Sequence, residues 1–201
     1  MQEYCKTGLK QPNMVKRIFI AIKIEAGEVL MEVMSSLMTS LKSESIKWTD
    51  PQNVHLTLAF LGDTEEEKIV ALDSMLTGKC LGFGNFEIIV KGSGVFRNIN
   101  DPRVIWAGIE RSEKLELLND HILKGLREIG IEIERPDFRP HLTLGRIRHL
   151  KSDLALKDVI TRYNSKLIQR VQVADVIMFE STLLRTGPVY TIIGKYSLDK
   201  I

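Results

Sequence analysis

The tetrapeptide His-Leu-Thr-Leu occurs twice in this chain of 201 residues, and this repeat most constrains what the chain can fold into. One copy begins at His55 and the other at His141. Around both copies polar and apolar residues alternate, a period of two that predicts a β-strand with one buried face. His and Thr two positions apart then project from one face of the strand, and the leucines project from the other. We therefore expect two similar strands, each presenting an imidazole beside a hydroxyl.

The segments around the two copies follow a similar order of predicted elements. Each half has a helical pattern ahead of its His-Thr strand, and no low-complexity linker separates the halves, which predicts two closely packed lobes. We expect residues 14–201 to form one bilobal domain and residues 1–13, which are polar, to form a disordered extension. Further strands are predicted at 17–24, 85–95, 104–109, 167–179 and 190–198, and helices at 28–41, 63–76, 112–129 and 153–163.

Three turn signals divide these elements. We expect Thr77-Gly78 to end the second helix, because glycine is common at helix C-termini. Residues 92–94, Gly-Ser-Gly, predict a turn or a β-bulge, since the lysine pattern of a phosphate-binding loop is missing there. Residues 181–188 are expected to link the last two strands.

Composition excludes several classes of protein. Apolar residues make up 44% and charged residues 27%, as in ordinary soluble domains, and the net charge of +2 is too small to imply wholesale coating of nucleic acid. Cys5 and Cys80 form neither a disulfide framework nor a zinc motif, and a reducing cytoplasm is the expected compartment. No apolar stretch approaches the roughly 20 residues of a membrane span. A local basic patch surrounds the second repeat and comprises Arg135, Arg139, Arg146, Arg148 and Lys151.

A pair of imidazoles facing one site favours acid–base chemistry. For one copy, a solvated sheet face is the ordinary explanation, but the recurrence of the same His and Thr favours a function. Two histidines without a carboxylate or cysteine on the same strands make a poor zinc or iron site, and no Gly-x-Ser-x-Gly elbow indicates a serine hydrolase. Because histidine has a pKa of about 6.5, one ring can be neutral while the other is protonated. Displacement at phosphorus uses such a pair, and threonine hydroxyls are suited to the non-bridging oxygens.

The wider sequence resembles the 2H phosphoesterase superfamily, and within it the RNA 2′,3′-cyclic phosphodiesterases of the LigT or ThpR type, historically called 2′-5′ RNA ligases. The similarity extends from Arg17 to Leu198. It includes the segments 17–22, 53–62, 103–109 and 138–146, together with Ser181 and residues 187–190. The resemblance implies an α+β, bilobal fold in which two antiparallel sheets flank a central cleft, with helices on the outer faces and a pseudo-two-fold repeat.

The resemblance also implies a reaction and the residues that perform it. The reaction is metal-independent opening of an RNA-terminal 2′,3′-cyclic phosphate to a 2′-phosphate, with no cofactor. His55 and His141 become the acid and base, with His55 assigned as the acid, although the reverse assignment stays open. Thr57 and Thr143 become phosphate ligands. Two further residues are candidates for binding substrate. Phe19 would stack on a base, and the alternative is that it is a core residue. Arg146 would contact phosphate or a base, and the alternative is that it is a solvated arginine at the end of the strand.

Two other functions remain open at this point. The first is reversible 2′-5′ ligation of RNA halves, such as tRNA halves, which is the same phosphate chemistry in reverse. The second is a non-catalytic module that binds RNA or nucleotides. In each case the partner is an RNA end or a cyclic nucleotide, no membrane is involved, and we expect a monomer because one chain supplies both motifs.

Overall fold

The structure, a computed structural model, describes residues 15–97, 101–133, 138–185 and 187–199. The extension predicted over residues 1–13 and Arg135 of the basic patch lie outside them. The strands are β1 Val15–Lys23, β2 Ser45–Trp48, β3 His55–Glu65, β4 Phe86–Phe96, β5 Val104–Ile109, β6 His141–His149, β7 Leu167–Val173, β8 Asp175–Leu184 and β9 Gly187–Ser197. The α-helices are α1 Glu28–Ser40, α2 Glu66–Cys80, α3 Glu113–Glu128 and α4 Leu154–Tyr163. Among the described residues, no helix has the length and apolar character needed to cross a bilayer.

The strands form one antiparallel sheet in the order β7-β4-β5-β6-β3-β1-β8-β9, with β2 also paired to β6. Each motif strand ends one half of this sheet, and the halves meet where Leu56 of β3 pairs with Leu142 of β6. The α+β class and the antiparallel arrangement are confirmed. The two sheets expected from the sequence are the two halves of a single sheet, joined through this one residue pair in the described part of the chain.

The four helices share one large core with the sheet. Leu56, Leu58, Leu142 and Leu144 of the two motifs are at most 5% exposed and belong to this core, as the alternating pattern predicts. Over the described ranges of the chain, the opposite face carries no helix. It holds a separate small cluster of Phe19, Ala21, Ile177 and Phe179, against which Tyr190 packs. We call this surface the helix-free face; it is the one onto which the motif histidines project.

Residues 167–179 do not form the single strand expected from the sequence. The run divides at Ala174 into β7, which pairs with β4, and β8, which pairs with β1. These partners belong to opposite halves of the sheet, so β7 and β8 lie six strand positions apart. Because neighbouring strands lie about 4.8 Å apart, a flat sheet would separate β7 and β8 by roughly 29 Å. One connecting residue cannot span that distance, so the two halves must bend toward each other.

Two smaller expectations are also wrong. Helix α2 continues past Gly78 to Cys80, whose buried side chain anchors the last turn, and burial raises the pKa of this thiol to about 12. Residues 181–184 and 187–188 continue β8 and β9 and form the end of their hairpin. The segment before the first motif forms its own strand, β2, on the neighbour β6. By contrast, the bulge expected at residues 92–94 is present as a register shift in β4, with Gly92 at φ +74°.

Each motif is followed by a β-bulge at the same offset. The register against the neighbouring strand shifts at Leu58 in β3 and at Leu144 in β6, so two successive residues are buried in each strand. The main-chain carbonyls at both bulges have partners. Buried Asn119 of α3 donates its amide to the Leu58 oxygen at 2.8 Å, and the Thr49 N–H donates to the Leu144 oxygen at 2.9 Å. A bulge reverses which residues face the core after it.

Replacing Asn119 with Ala should destabilise the fold, because it leaves the buried Leu58 carbonyl without its donor. The expected loss in free energy of unfolding is about 1–3 kcal/mol, measured by urea denaturation monitored by circular dichroism. Asn164→Ala is the control, since that amide is exposed at the end of α4. Equal stability of the two variants would contradict the role assigned to Asn119.

Candidate active site

The two motif histidines make the same hydrogen bond. The Nδ1 of His55 lies 2.6 Å from the Asn53 carbonyl oxygen, and the Nδ1 of His141 lies 2.7 Å from the Arg139 carbonyl oxygen. A carbonyl oxygen only accepts, so each Nδ1 must carry the hydrogen and donate it. In the neutral ring, Nε2 is then left with a free lone pair. Both imidazoles are therefore fixed in the tautomer that presents Nε2 for proton transfer.

The threonines complete a four-residue group on the helix-free face. The strands run antiparallel through the Leu56–Leu142 pair, so continuing that register by one residue brings Thr143 across from His55 and His141 across from Thr57. All four side chains are partly buried. The structure thus places the four residues predicted from the repeat around one point of the sheet. We call this group the His-Thr site.

Aromatic rings surround His55. The Phe19 ring centroid lies 4.9 Å from that of His55 and 5.0 Å from that of Phe179, and Phe19 is 3% exposed. Tyr190 of β9 meets His55 edge-on at 5.3 Å. These contacts restrict the orientation of the imidazole and remove it from water. The stacking of Phe19 on a nucleobase stays a prediction; in the structure its ring is packed against Phe179 and His55.

His141 has a different aromatic neighbour, supplied by the other half of the sheet. The ring of Phe96, at the end of β4, meets His141 edge-on with centroids 4.5 Å apart. In the half that contains β6, Phe96 pairs with Val104, and Val104 pairs with Arg146. In the half that contains β3, Phe179 pairs with Phe19, and Phe19 pairs with Phe60. Phe96 and Phe179 thus hold equivalent positions in the two halves. The repeat extends from the motifs to the aromatic walls beside them.

The pKa values of both histidines are lowered. Burial is the largest cause for each, and the hydrogen bond to the backbone carbonyl opposes it. The positive charge of Arg146 further lowers the pKa of both rings, and His141 does so for His55. Burial raises the pKa of Tyr190, and Arg146 counteracts this shift. One exposed guanidinium therefore acts on three ionisable groups of the site.

Arg146 reaches this position because of the bulge in β6. Strict alternation from His141 would place Gly145 on the histidine face and Arg146 in the core. With the bulge, Gly145 is buried and Arg146 is exposed on the helix-free face. The equivalent residue of the other half is Phe60, which is 49% exposed and has the Arg17 guanidinium 5.1 Å from its ring centroid. The His-Thr site is therefore symmetric in its histidines and asymmetric in the residue that follows each bulge.

The helix-free face is concave around the site. The Lys47 ammonium of β2 lies 3.3 Å from the position that a Cβ would occupy at Gly187, in the hairpin between β8 and β9. Lys47 pairs with Arg146 near the middle of the sheet, whereas Gly187 belongs to its edge strand. The hairpin must therefore curve over the site, which makes a cleft.

Sequence reasoning missed several residues of this cleft. Phe96, Phe179 and Lys47 were not singled out, although Phe96 continues the alternation of β4 beyond its glycines. Of the other histidines, His121 lies on α3 against Phe83 and His149 is exposed at the end of β6. Among the described residues, no three His, Cys, Asp or Glu side chains are grouped as metal ligands.

Comparison with known families identifies the architecture. The family model described as "LigT like Phosphoesterase" matches residues 20–106 and again residues 109–190. This chain belongs to the LigT-like phosphoesterase family. Each match contains one copy of the His-Leu-Thr-Leu motif together with the bulge that follows it.

Relatives of similar length support this assignment. An RNA 2′,3′-cyclic phosphodiesterase of Archaeoglobus fulgidus is 30% identical over 87% of this chain and 96% of its own length. One from Methanothermobacter thermautotrophicus is 32% identical over 87% of this chain and 95% of its own. Among solved structures, TT0787 of Thermus thermophilus superposes with a TM-score of 0.75 at 26% identity, covering 90% of this chain and 97% of that one. LigT of E. coli, solved with 3′-AMP, shares the fold at 23% identity and a TM-score of 0.70, over 92% and 99% of the two chains.

Arg146→Gln should raise the pKa of both His55 and His141, because it removes a positive charge that disfavours the imidazolium form. The measurement is a titration of the histidine ring signals by NMR. In the wild type both rings should titrate below the ordinary value, and in the variant both should move upward. Arg146→Lys keeps the charge and should leave both titrations near those of the wild type. Unchanged titrations in Arg146→Gln would contradict the electrostatic role of Arg146.

Proposed function

We propose that this protein hydrolyses the 2′,3′-cyclic phosphate at the end of an RNA to a 2′-phosphate without a metal. The observation that carries the proposal is the shared tautomer of His55 and His141, fixed by two equivalent backbone hydrogen bonds on strands that pair with each other. This geometry supports one imidazole as a base and the other as an acid at a single phosphate. The curated relatives named RNA 2′,3′-cyclic phosphodiesterase support the substrate class.

The reaction follows from the two protonation states of this tautomer. A neutral His141 accepts a proton at Nε2 from a water molecule while the water oxygen forms a bond to phosphorus. A protonated His55 donates its Nε2 proton to O3′ as the bond between phosphorus and O3′ breaks. The product carries the phosphate on O2′, and the two rings have exchanged protonation states. The sequence is symmetric about this choice of roles, so the assignment of His55 as the acid depends on the test given below.

The hydrogen bonds at Nδ1 serve both protonation states. The carbonyl oxygens of Asn53 and Arg139 hold each Nδ1 hydrogen and stabilise an imidazolium, which raises the pKa, while burial lowers it. An anionic phosphate between the rings would restore the imidazolium of the acid when substrate binds. In this proposal Thr57 and Thr143 donate hydrogen bonds to the non-bridging oxygens, and Arg146 contacts the phosphate or a base. Phe19 remains the candidate for base stacking.

We also propose that the protein acts as a monomer, since one chain contributes both motifs, and that it works in the cytoplasm, since its two cysteines form no disulfide framework. Two imidazoles and two hydroxyls are a poor ligand set for zinc or iron, which supports chemistry without a metal. Treatment with EDTA should leave the rate of hydrolysis unchanged. Loss of activity in EDTA that is restored by a divalent metal would contradict the proposed mechanism.

His55→Ala and His141→Ala should each lower kcat by about 10²–10⁴, the usual contribution of a general acid or base. His121→Ala is the matched control, since this exposed ring lies on α3 away from the site. The measurement is steady-state hydrolysis of a cyclic-phosphate RNA, with circular dichroism as a check that each variant is folded. Retained activity in either variant would contradict the proposal.

The two roles are separated by the leaving group. A phosphodiester with a p-nitrophenolate leaving group needs little protonation as it departs, so His55→Ala should lose much less activity on it than on a cyclic-phosphate RNA. His141→Ala should lose similar activity on both, because water must still be activated. If His141→Ala is the variant that recovers, the roles are reversed.

The remaining functions are distinguished by products. A 2′,3′-cyclic-phosphate RNA is incubated alone and with a second RNA that bears a 5′-hydroxyl, and the products are resolved by mass and by the position of the phosphate. We expect a 2′-phosphate in both cases. Joining that outpaces hydrolysis would identify the ligase, and binding without any product would identify a non-catalytic module.

A further inference from the structure

A row of cations follows β6 away from the His-Thr site. Arg146 lies on the helix-free face beside Lys47 of β2. A second register shift, between β2 and β6 near Arg148, leaves both Arg148 and His149 exposed. Lys151 follows directly after the strand and is also exposed. We call Lys47, Arg146, Arg148 and Lys151 the basic row.

Within the part of the chain that the structure describes, the basic row is not neutralised by ion pairs. Among the described residues, none of its four side chains takes part in an ion pair. The nearby carboxylates are engaged elsewhere: Asp101 with Arg97 and Arg103, and Asp153 with Lys157. Glu44 accepts the main-chain N–H of Lys151 at 2.5 Å. The four charges are therefore available to an external anion.

The row ends at a cavity rather than on a flat surface. A cavity of about 540 Å³ lies between residues 101–103 and residues 147–153. Its charged lining consists of Arg103, Arg148 and Lys151, with His149, and of the carboxylates Asp101 and Asp153. It does not include the motif histidines. At about 3.3 Å per residue along a strand, Arg148 lies roughly 23 Å from His141. A single phosphate at the His-Thr site cannot reach the cavity, but a polynucleotide chain can.

We propose that the basic row binds the phosphates of the single-stranded RNA that leads to the terminal cyclic phosphate, with the RNA running along β6 toward the cavity. This inference rests on the proposed function and extends it: the preferred substrate is a polynucleotide end rather than a cyclic mononucleotide. Unpaired cations in line with the catalytic residues match the regular negative charge of an RNA backbone. Such contacts hold the chain without reading its sequence.

The test compares substrates of different length. The double variant is Arg148→Gln/Lys151→Gln. The control, Lys124→Gln/Arg127→Gln, removes the same number of positive charges from the exposed side of α3. Both are assayed with a 2′,3′-cyclic mononucleotide and with cyclic-phosphate oligonucleotides of increasing length. We expect KM of the double variant to rise by roughly tenfold for the longer oligonucleotides and much less for the mononucleotide, with kcat retained. The dependence of log kcat/KM on log salt concentration should become shallower by about 1.4 for oligonucleotides, since each contact to single-stranded nucleic acid contributes about 0.7.

Two results would overturn the inference while leaving the proposed function in place. In one, the double variant behaves as the control does with every substrate. In the other, its KM rises equally for the mononucleotide and the oligonucleotides, which would mean that the row acts on the reacting phosphate alone. If the wild type hydrolyses none of the substrates, the proposed function fails and this inference fails with it.

Discussion

The backbone pairing of Leu56 with Leu142 is the contact on which the rest of the site depends. It joins the two halves of the sheet at the middle of both motifs, so each leucine is fixed in the core while its neighbouring His and Thr face the opposite side. Pairing between strands that are far apart in the sequence costs loop-closure entropy, unless other contacts already order the intervening chain. Here the shared core of helices and sheet provides that order, and Ala174 forces the halves to bend toward each other. Two short strand segments thereby become one site.

The two halves share the surroundings of the motif histidine and differ in the residue that follows the bulge. Each histidine has the same backbone acceptor, two residues earlier in the chain, and an equivalent phenylalanine stands in each half. The residue after the bulge differs: Arg146 in one half and Phe60 in the other. A repeated structure can thus present two imidazoles of the same tautomer while placing positive charge on one side. The basic row continues from that same side.

Much of the site was predictable because its signal is local. Alternation around His55 and His141 indicates the face of each side chain directly, and α1 and α3 follow from their helical periodicity. The position of Arg146 was not predictable from alternation, since a bulge of one residue reverses the face and depends on hydrogen bonds from Thr49 and the neighbouring strands. The sequence does contain one signal for the two bulges. Each copy of the motif has two successive residues without polar side chains at the same offset, Leu58-Ala59 and Leu144-Gly145.

Other features depend on tertiary contacts that no short segment reveals. Residues 167–179 have the composition of one long strand, and the division at Ala174 follows from the pairing partners on either side. Gly78 remains helical because the buried side chain of Cys80 stabilises the turn after it, against a glycine cost of about 1 kcal/mol. Phe96 and Phe179 border the histidines because β4 and β8 occupy equivalent places in the two halves. The assembly of the cleft is therefore a property of the sheet order rather than of the motifs.

The central claim is that both motifs act on one phosphate. A crystal structure of the protein with a nucleoside 2′-phosphate bound would test it most directly. The account predicts a single phosphate group whose oxygens are within hydrogen-bonding distance of Nε2 of His55 and of His141 and of the hydroxyls of Thr57 and Thr143. A phosphate contacted by one motif alone, or either imidazole turned so that Nδ1 faces the ligand, would contradict it.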